Sequence, residues 1–486
     1  MLREKFFTAT LILAGLAGAA PLSYAQSMSA APNASAQAPL PSPALIQIET
    51  EATNWLQGLV RINTTNPPGN ELAAANYIKG ILDKEGINSE IFETAPGRGF
   101  IVARLSSSPV PDPSKALLLL GHLDVVGVDR GKWTVDPFGG VINGSYLYGR
   151  GVIDDKAMII ANMATLIELK RSNARLNRDV IFLAEGDEEA GGAQGMQVVV
   201  TKYWNKVAAG FAINQGGDLQ MKDGKVQFVG VQVSEKVDSK VDVVATGTPG
   251  PAALPLKDNP VAHLSAAIAK IAAYETPIQF DSVTRAYFQA IAPAQDEDTA
   301  KWMRALDTAD RGEHAAKIIA DKNPIWGAII RDTISPTVLQ TGTNANLIPA
   351  QAKAVLDIRM LPGDPLDLLV SKLKAAVNDP AVRIDVEPGA EPAPSSSVSS
   401  DLYNSITRVA GSEFPGAPVA PYLSPSATDS SFLRERSVQT YGVLPFPLTA
   451  EDRARANGND ERIPLDAFRK GVEFIYNVVS GFAVEK

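Results

Sequence analysis

The chain has 486 residues, 45% of them apolar and 20% charged, with a formal net charge of −9. That length exceeds one simple core and suits two domains, and the composition is that of an ordinary globular protein. The acidic balance, with no cluster of Lys and Arg, argues against nucleic acid as a partner, because phosphate binding needs concentrated positive charge. Cysteine is absent, and histidine occurs only at His122, His263 and His314. Any bound metal must therefore be held by imidazole and carboxylates.

The N-terminus reads as a secretory signal over residues 1–25. Arg3 and Lys5 give a positive start, residues 6–17 a short apolar stretch, and Ser23-Tyr24-Ala25 a small-x-small cleavage site. The apolar stretch is shorter than the roughly 18 residues a spanning helix needs, and no later stretch reaches that length. The expectation is a secreted or periplasmic protein with no membrane association after cleavage. Residues 26–44, rich in Ala, Pro and Ser, read as a linker. From Ile46 the spacing turns helical, with Trp55, Leu56 and Leu59 on one face.

Residues 116–120 and 180–184 are continuous apolar runs, as in strands buried on both faces. Between them, residues 157–169 have helical spacing. Strand, helix, strand in this rhythm predicts a doubly wound, mostly parallel α/β sheet. Sites in such sheets form past the carboxyl ends of the strands. Both runs end in polar clusters, Gly121-His122-Leu123-Asp124 and Glu185-Gly186-Asp187-Glu188-Glu189. After Glu235 the texture changes. Strands are expected over 237–245, 337–340, 352–360 and 382–386, and helices over 259–273 and 366–377. This β-α-β-β-α-β order is the ferredoxin-like pattern of a smaller inserted domain, with 275–332 as an elaboration inside it. From about 395 the chain rejoins the main sheet. The expected domains are 45–234 with 389–486, and the insertion 235–388.

In an extended segment, residues i and i+2 share a side. Asp124 is therefore placed to hold one ring nitrogen of His122 while the other faces a metal. Alone, this pair reads more readily as a solvated turn. Gly149-Arg150-Gly151-Val152-Ile153-Asp154-Asp155-Lys156 follows, with glycines for a tight turn and Asp154 projecting just before a helix. Glu188-Glu189 comes next. Adjacent carboxylates at a strand end are costly unless a cation or proton relieves them. Two roles suit the pair, one binding metal and its neighbour acting as general base.

Taken in order, GHLDVV (121–126), residues 133–138, YGRGVIDDK (148–156) and EGDEEAGG (185–192) resemble the family of aminoacylases, glutamate carboxypeptidases and succinyl-diaminopimelate desuccinylases. Ser234-Glu235-Lys236, Asn346-Leu347-Ile348-Pro349, Asp357-Ile358-Arg359 and Asp460-Glu461-Arg462-Ile463 continue the likeness. The resemblance implies a di-zinc hydrolase of amide bonds in small peptides or N-acyl amino acids. It implies that His122 binds one zinc and Glu189 the other, with Asp154 bridging. Glu188 would be the general base and acid, and Asp124 would orient His122. Arg359 and Asn346, from the inserted domain, would meet the substrate. That domain would be a lid through which two copies pair.

Three positions depart from the family's pattern. Gln215 stands where a carboxylate ligand is expected, Asn457 where a histidine ligand is expected, and Pro251 where the inserted domain supplies a histidine. An amide offers a neutral oxygen where zinc prefers imidazole or carboxylate. A proline donates no hydrogen bond to an oxyanion. His263 and His314 fit none of these motifs. The residues that remain predict an impaired or mononuclear hydrolase; the alternative is an inactive relative that binds a peptide or acyl amino acid.

Overall fold

In the computed structural model of the protein, residues 43–308, 310–387, 389 and 392–485 are described. The expected signal, and the expected linker as far as residue 42, lie outside them. A nine-stranded sheet forms the centre of the described chain. Four neighbouring strands are parallel, in the order Val180–Glu185, Leu117–His122, Phe211–Gln215 and Gln439–Val443. Every residue of the first two is buried. The reason is visible in the side-chain alternation. Leu117, Leu119, Phe182 and Ala184 enter one apolar core, while Leu118, Leu120, Ile181 and Leu183 enter another on the opposite face. Helices Lys156–Arg171, Leu465–Ala483 and Pro43–Val60 pack together on the first face. This is the doubly wound, mostly parallel α/β sheet expected from the sequence, with antiparallel strands at its margins.

A second sheet has the order Thr333–Gln340, Gln351–Met360, Val237–Thr246, Val382–Val386, with every pair antiparallel. Helices Pro260–Ala272 and Leu366–Val377 share with it a separate core that includes Val243, Leu264, Leu356 and Leu373. The first of these helices starts where its sequence says it should. The Asn259 side chain accepts the Val261 N–H, and Pro260 occupies the first turn. The chain order through this unit is the ferredoxin-like one.

The helical stretch between these strands differs from expectation. Helices Ser282–Ile291, Glu297–Ala305 and Gly312–Lys322 join the core of the large sheet, not that of the small one. The Tyr287 ring packs edge-on to Phe228 at 5.9 Å and tilted against Tyr422 at 5.5 Å, on the outer strands Lys225–Glu235 and Val419–Ser424. Those strands present an apolar face that needs cover, and an amphipathic pattern does not say which sheet a helix will cover. No helix among the described residues is long and apolar enough to cross a membrane.

Candidate metal centre

The parallel strands end at a common edge, and the polar clusters meet there. His122, the last residue of its strand, is buried. Its Nδ1 lies 3.4 Å from Asp124 Oδ1, and its Nε2 lies 3.0 Å from Asp154 Oδ1. Asp124 thus faces one nitrogen, with its backbone carbonyl at 3.1 Å as well as its carboxylate, and leaves the other turned toward Asp154. Asp124 also has a role the sequence did not give. Its two carboxylate oxygens accept the backbone N–H groups of Glu188 and Glu189, each at 3.2 Å. It thereby fixes the short turn Glu188–Ala190 against the imidazole.

Asp154 is held by its own turn. Glu461 is fully buried and accepts N–H groups from Gly151 at 3.0 Å and Ile153 at 2.8 Å, and from the Arg150 guanidinium at 2.6 Å. Sequence reading placed Glu461 only within a resembling motif; its partners lie far away in the chain, and no spacing signals them. The neighbouring Asp155 accepts the His122 backbone N–H at 3.2 Å. Gly121 permits that approach, since a Cβ there would lie 2.7 Å from the Asp155 carboxylate.

His122, Asp154 and Glu189 each offer a ligand atom, all within 4.8 Å of one another. Glu189 Oε1 is buried without a hydrogen-bond partner. An orphaned carboxylate oxygen beside an imidazole and a second carboxylate fits one zinc-like cation. At the two positions where the resemblance implies further ligands, amides stand instead. Gln215 Nε2 donates to Glu188 Oε1 at 3.2 Å, and Asn457 Nδ2 donates to Asp154 Oδ2 at 3.0 Å. An N–H turned toward a carboxylate is not a ligand, so the bridged pair implied by the resemblance is not matched by these side chains.

The electrostatics follow from crowding. Burial disfavours charge on His122, yet the carboxylates of Glu188, Asp124 and Asp154 outweigh it and hold the imidazole well above its ordinary pKa. Burial raises Glu188 well above the usual carboxylate range; His122 opposes this, while Asp429, Asp154 and Glu189 add to it. Burial likewise pushes Glu189 up to about 7. Asp124 runs the other way. Burial would raise it, but hydrogen bonding and charge from His122, with N–H groups from Asn66 and Glu189, bring it down.

Arg359 lies on the small sheet, in the strand Gln351–Met360. Its guanidinium binds Asp357 at 2.8 and 2.9 Å, and Glu188 is among the carboxylates whose field reaches it. Asn346 and Pro251 come together elsewhere. Pro251 pairs with Leu347 in a two-residue ladder, and the Asn346 carbonyl accepts the Ala252 N–H at 2.9 Å. Among the described residues no hydrogen bond joins either of them to the His122 group. His263 binds Asp379 at 2.6 Å, and His314 packs edge-on to Trp302. Among the described residues neither belongs to the His122, Asp154 and Glu189 group. A cavity of about 140 Å³ adjoins Asp154 and Gln215, walled by Ile153, Met158, Val443 and Phe446.

Known proteins share this arrangement of sheets. The chain is 27% identical over 383 residues to "Probable carboxypeptidase S-like 2" of Dictyostelium discoideum, covering 75% of this chain and 71% of that one. It is 27% identical over 442 residues to the "N-fatty-acyl-amino acid synthase/hydrolase PM20D1" of Homo sapiens, covering 87% and 86%. Among solved structures, an M20 family metallo-carboxypeptidase from Sulfolobus solfataricus superposes with a TM-score of 0.68 at 20% identity, over 89% of this chain and 99% of that one, which supports the fold. The profile described as peptidase family M20/M25/M40 matches residues 118–481. That match runs from the first buried parallel strand into the last helix and takes in every side chain of the His122 centre, so the chain belongs to this peptidase family.

Proposed function

We propose that this chain is a metal-dependent hydrolase that cuts an amide bond in small peptides or N-acyl amino acids, using one cation. The observation that carries the reading is the meeting of His122, Asp154 and Glu189 within 4.8 Å, with Glu188 on the same turn. A zinc ion held by these three would polarise the scissile carbonyl and acidify the attacking water. Glu188 takes a proton from that water as the oxygen bonds to the carbonyl carbon. The C–N bond then breaks, and Glu188 gives the proton to the leaving amine. A carboxyl raised by burial suits a group that must both accept and release a proton.

The names of the Dictyostelium and human relatives point to carboxypeptidase and N-fatty-acyl-amino acid chemistry. Substrates of both kinds carry a free carboxylate beside the amide, and Arg359, with Asn346 as a further contact, is the group suited to bind it. The cavity of about 140 Å³ beside Asp154 and Gln215 offers room for a small part of such a substrate. In the same reading, residues 1–25 export the chain to the periplasm or beyond. The small-sheet domain closes as a lid, and two copies pair through it; its edge strand Thr333–Gln340 leaves Leu339 67% exposed.

The test is hydrolysis of a dipeptide and N-acyl amino acid panel by the purified chain with zinc, cobalt or manganese. Turnover that falls by roughly 10²–10⁴-fold in Glu188→Gln is expected; no Glu188-dependent turnover on any substrate overturns the reading. One observation favours a second reading, a binding protein without turnover. The amides of Gln215 and Asn457 already satisfy oxygens of Glu188 and Asp154. Tight ligand binding with neither turnover nor stoichiometric metal selects it.

A further inference from the structure

Gln215 and Asn457 come from distant parts of the chain, and each turns its N–H onto a different carboxylate. Gln215 ends a central strand whose backbone is paired with the strand ending at Val443. The next two residues, Gly216 and Gly217, hold φ of 133° and 75°, which only glycine adopts freely, and the Gly217 N–H is bound by Gln232 at 3.3 Å. Asn457 sits at φ 59°, a left-handed conformation that asparagine tolerates. Its carbonyl accepts the Arg150 guanidinium at 3.2 Å. Arg150 is in turn bound by Glu461, which also fixes the turn bearing Asp154. One buried ion pair therefore sets both the donor Asn457 and the acceptor Asp154.

The oxygens divide cleanly. Asp154 Oδ1 faces the His122 imidazole, while Oδ2 takes the Asn457 amide. Glu188 Oε1 takes the Gln215 amide. A second dication would need Asp154 Oδ2 and two charged or imidazole ligands that these positions lack. An amide N–H offers each carboxylate a partial positive charge in its place, without further charge to desolvate.

We propose that Gln215 and Asn457 are fixed stand-ins for the second cation, which make this a one-cation centre, and that Gln215 is a positioning residue that orients Glu188. The inference rests on the hydrolase reading above and deepens it.

The test uses the full chain, stripped of metal. Zinc is titrated by calorimetry into wild type and into Gln215→Glu/Asn457→His, and steady-state kinetics and their pH profile are compared for wild type and Gln215→Ala. One tight equivalent in wild type and two in the double variant are expected. Gln215→Ala should keep one equivalent while kcat falls by about 10-fold, KM stays within about twofold, and the acidic limb of the pH profile moves. If the double variant does not fold, the single variant still decides. Two tight equivalents in wild type, none at all, or unchanged kcat and pH profile in Gln215→Ala overturns the inference. Wild type that turns over with two equivalents sinks this proposal and leaves hydrolysis itself standing, without the single cation. One equivalent without turnover keeps the one-cation centre but sinks the hydrolase reading and, with it, the positioning role of Gln215.

Discussion

Asp124 makes three kinds of contact from one carboxylate: to the His122 ring, to the Asn66 amide, and to the backbone N–H groups that carry Glu188 and Glu189. Removing it frees both the imidazole and the turn. Asp124→Ala should therefore weaken zinc affinity by about 10–100-fold, as measured by competition with a chromogenic chelator; unchanged affinity would mean that His122 is oriented by other contacts. His122, Asp124, Asp154, Glu188 and Glu189 could all be picked out in the sequence because each follows a buried strand or precedes a helix, where parallel sheets gather their sites. Glu461 could not, since it acts through backbone N–H groups of a turn early in the chain. The substitutions at Gln215 and Asn457 were visible as losses. Their hydrogen bonds were not, because a residue type does not reveal which way its amide points.

At the scale of elements, the carboxyl edge of the sheet tolerates little change. Gly195 precedes the helix Met196–Lys202, and a Cβ there would overlap the Gly186 carbonyl. Gly195→Ala should cost about 3 kcal/mol or more, read as a lowered thermal midpoint; an unchanged midpoint would show that the helix start can shift. A second prediction concerns the helices Asp401–Glu413 and Leu465–Ala483. Burial pushes Glu413 up to about 7, with the Glu473 charge adding and the Asn477 amide and Lys470 opposing. Its folded-state pKa stands above the ordinary value of 4.5, so folding favours the protonated form. The stabilising effect of that proton is complete below about 4.5 and is lost as pH rises through about 7. Glu413→Gln should thus leave stability nearly unchanged at pH 5 and raise it by about 2 kcal/mol at pH 8. Equal effects at both pH values in denaturant titrations would refute the assignment. Two central strands of the large sheet are readable as continuous apolar runs, and the strands and two helices of the small sheet from their period; the outer strands of the large sheet carry no comparable signal. The placement of the helices over 282–322 is not readable either, because amphipathicity marks a buried face and not the surface that buries it.

Across the whole molecule, two sheets meet near Lys236, which links the large-sheet strand Lys225–Glu235 to the small-sheet strand Val237–Thr246. Its ammonium binds the carbonyls of Ala328 and Arg331 and the Thr333 hydroxyl, so one side chain ties the outgoing connection to the returning one. Burial brings this lysine down to about 7. Arg359 lies on the small sheet, in the strand Gln351–Met360, and the Glu188 charge reaches it. If Arg359 binds the substrate's carboxylate, Arg359→Ala should raise KM by roughly 10–100-fold, the loss of a charge-assisted hydrogen bond, with a smaller change in kcat. Substrates whose carboxylate is amidated should not register the substitution; an equal effect on both would point to a structural role for Arg359. The measurement that bears most directly on the account is turnover of an N-acyl amino acid against zinc added to the metal-stripped full chain. The account predicts a plateau at one equivalent per chain, with Glu188→Gln binding that equivalent but turning over at a rate lower by roughly 10²–10⁴-fold. Activity that keeps rising to a second equivalent, or turnover that survives Glu188→Gln, would contradict it.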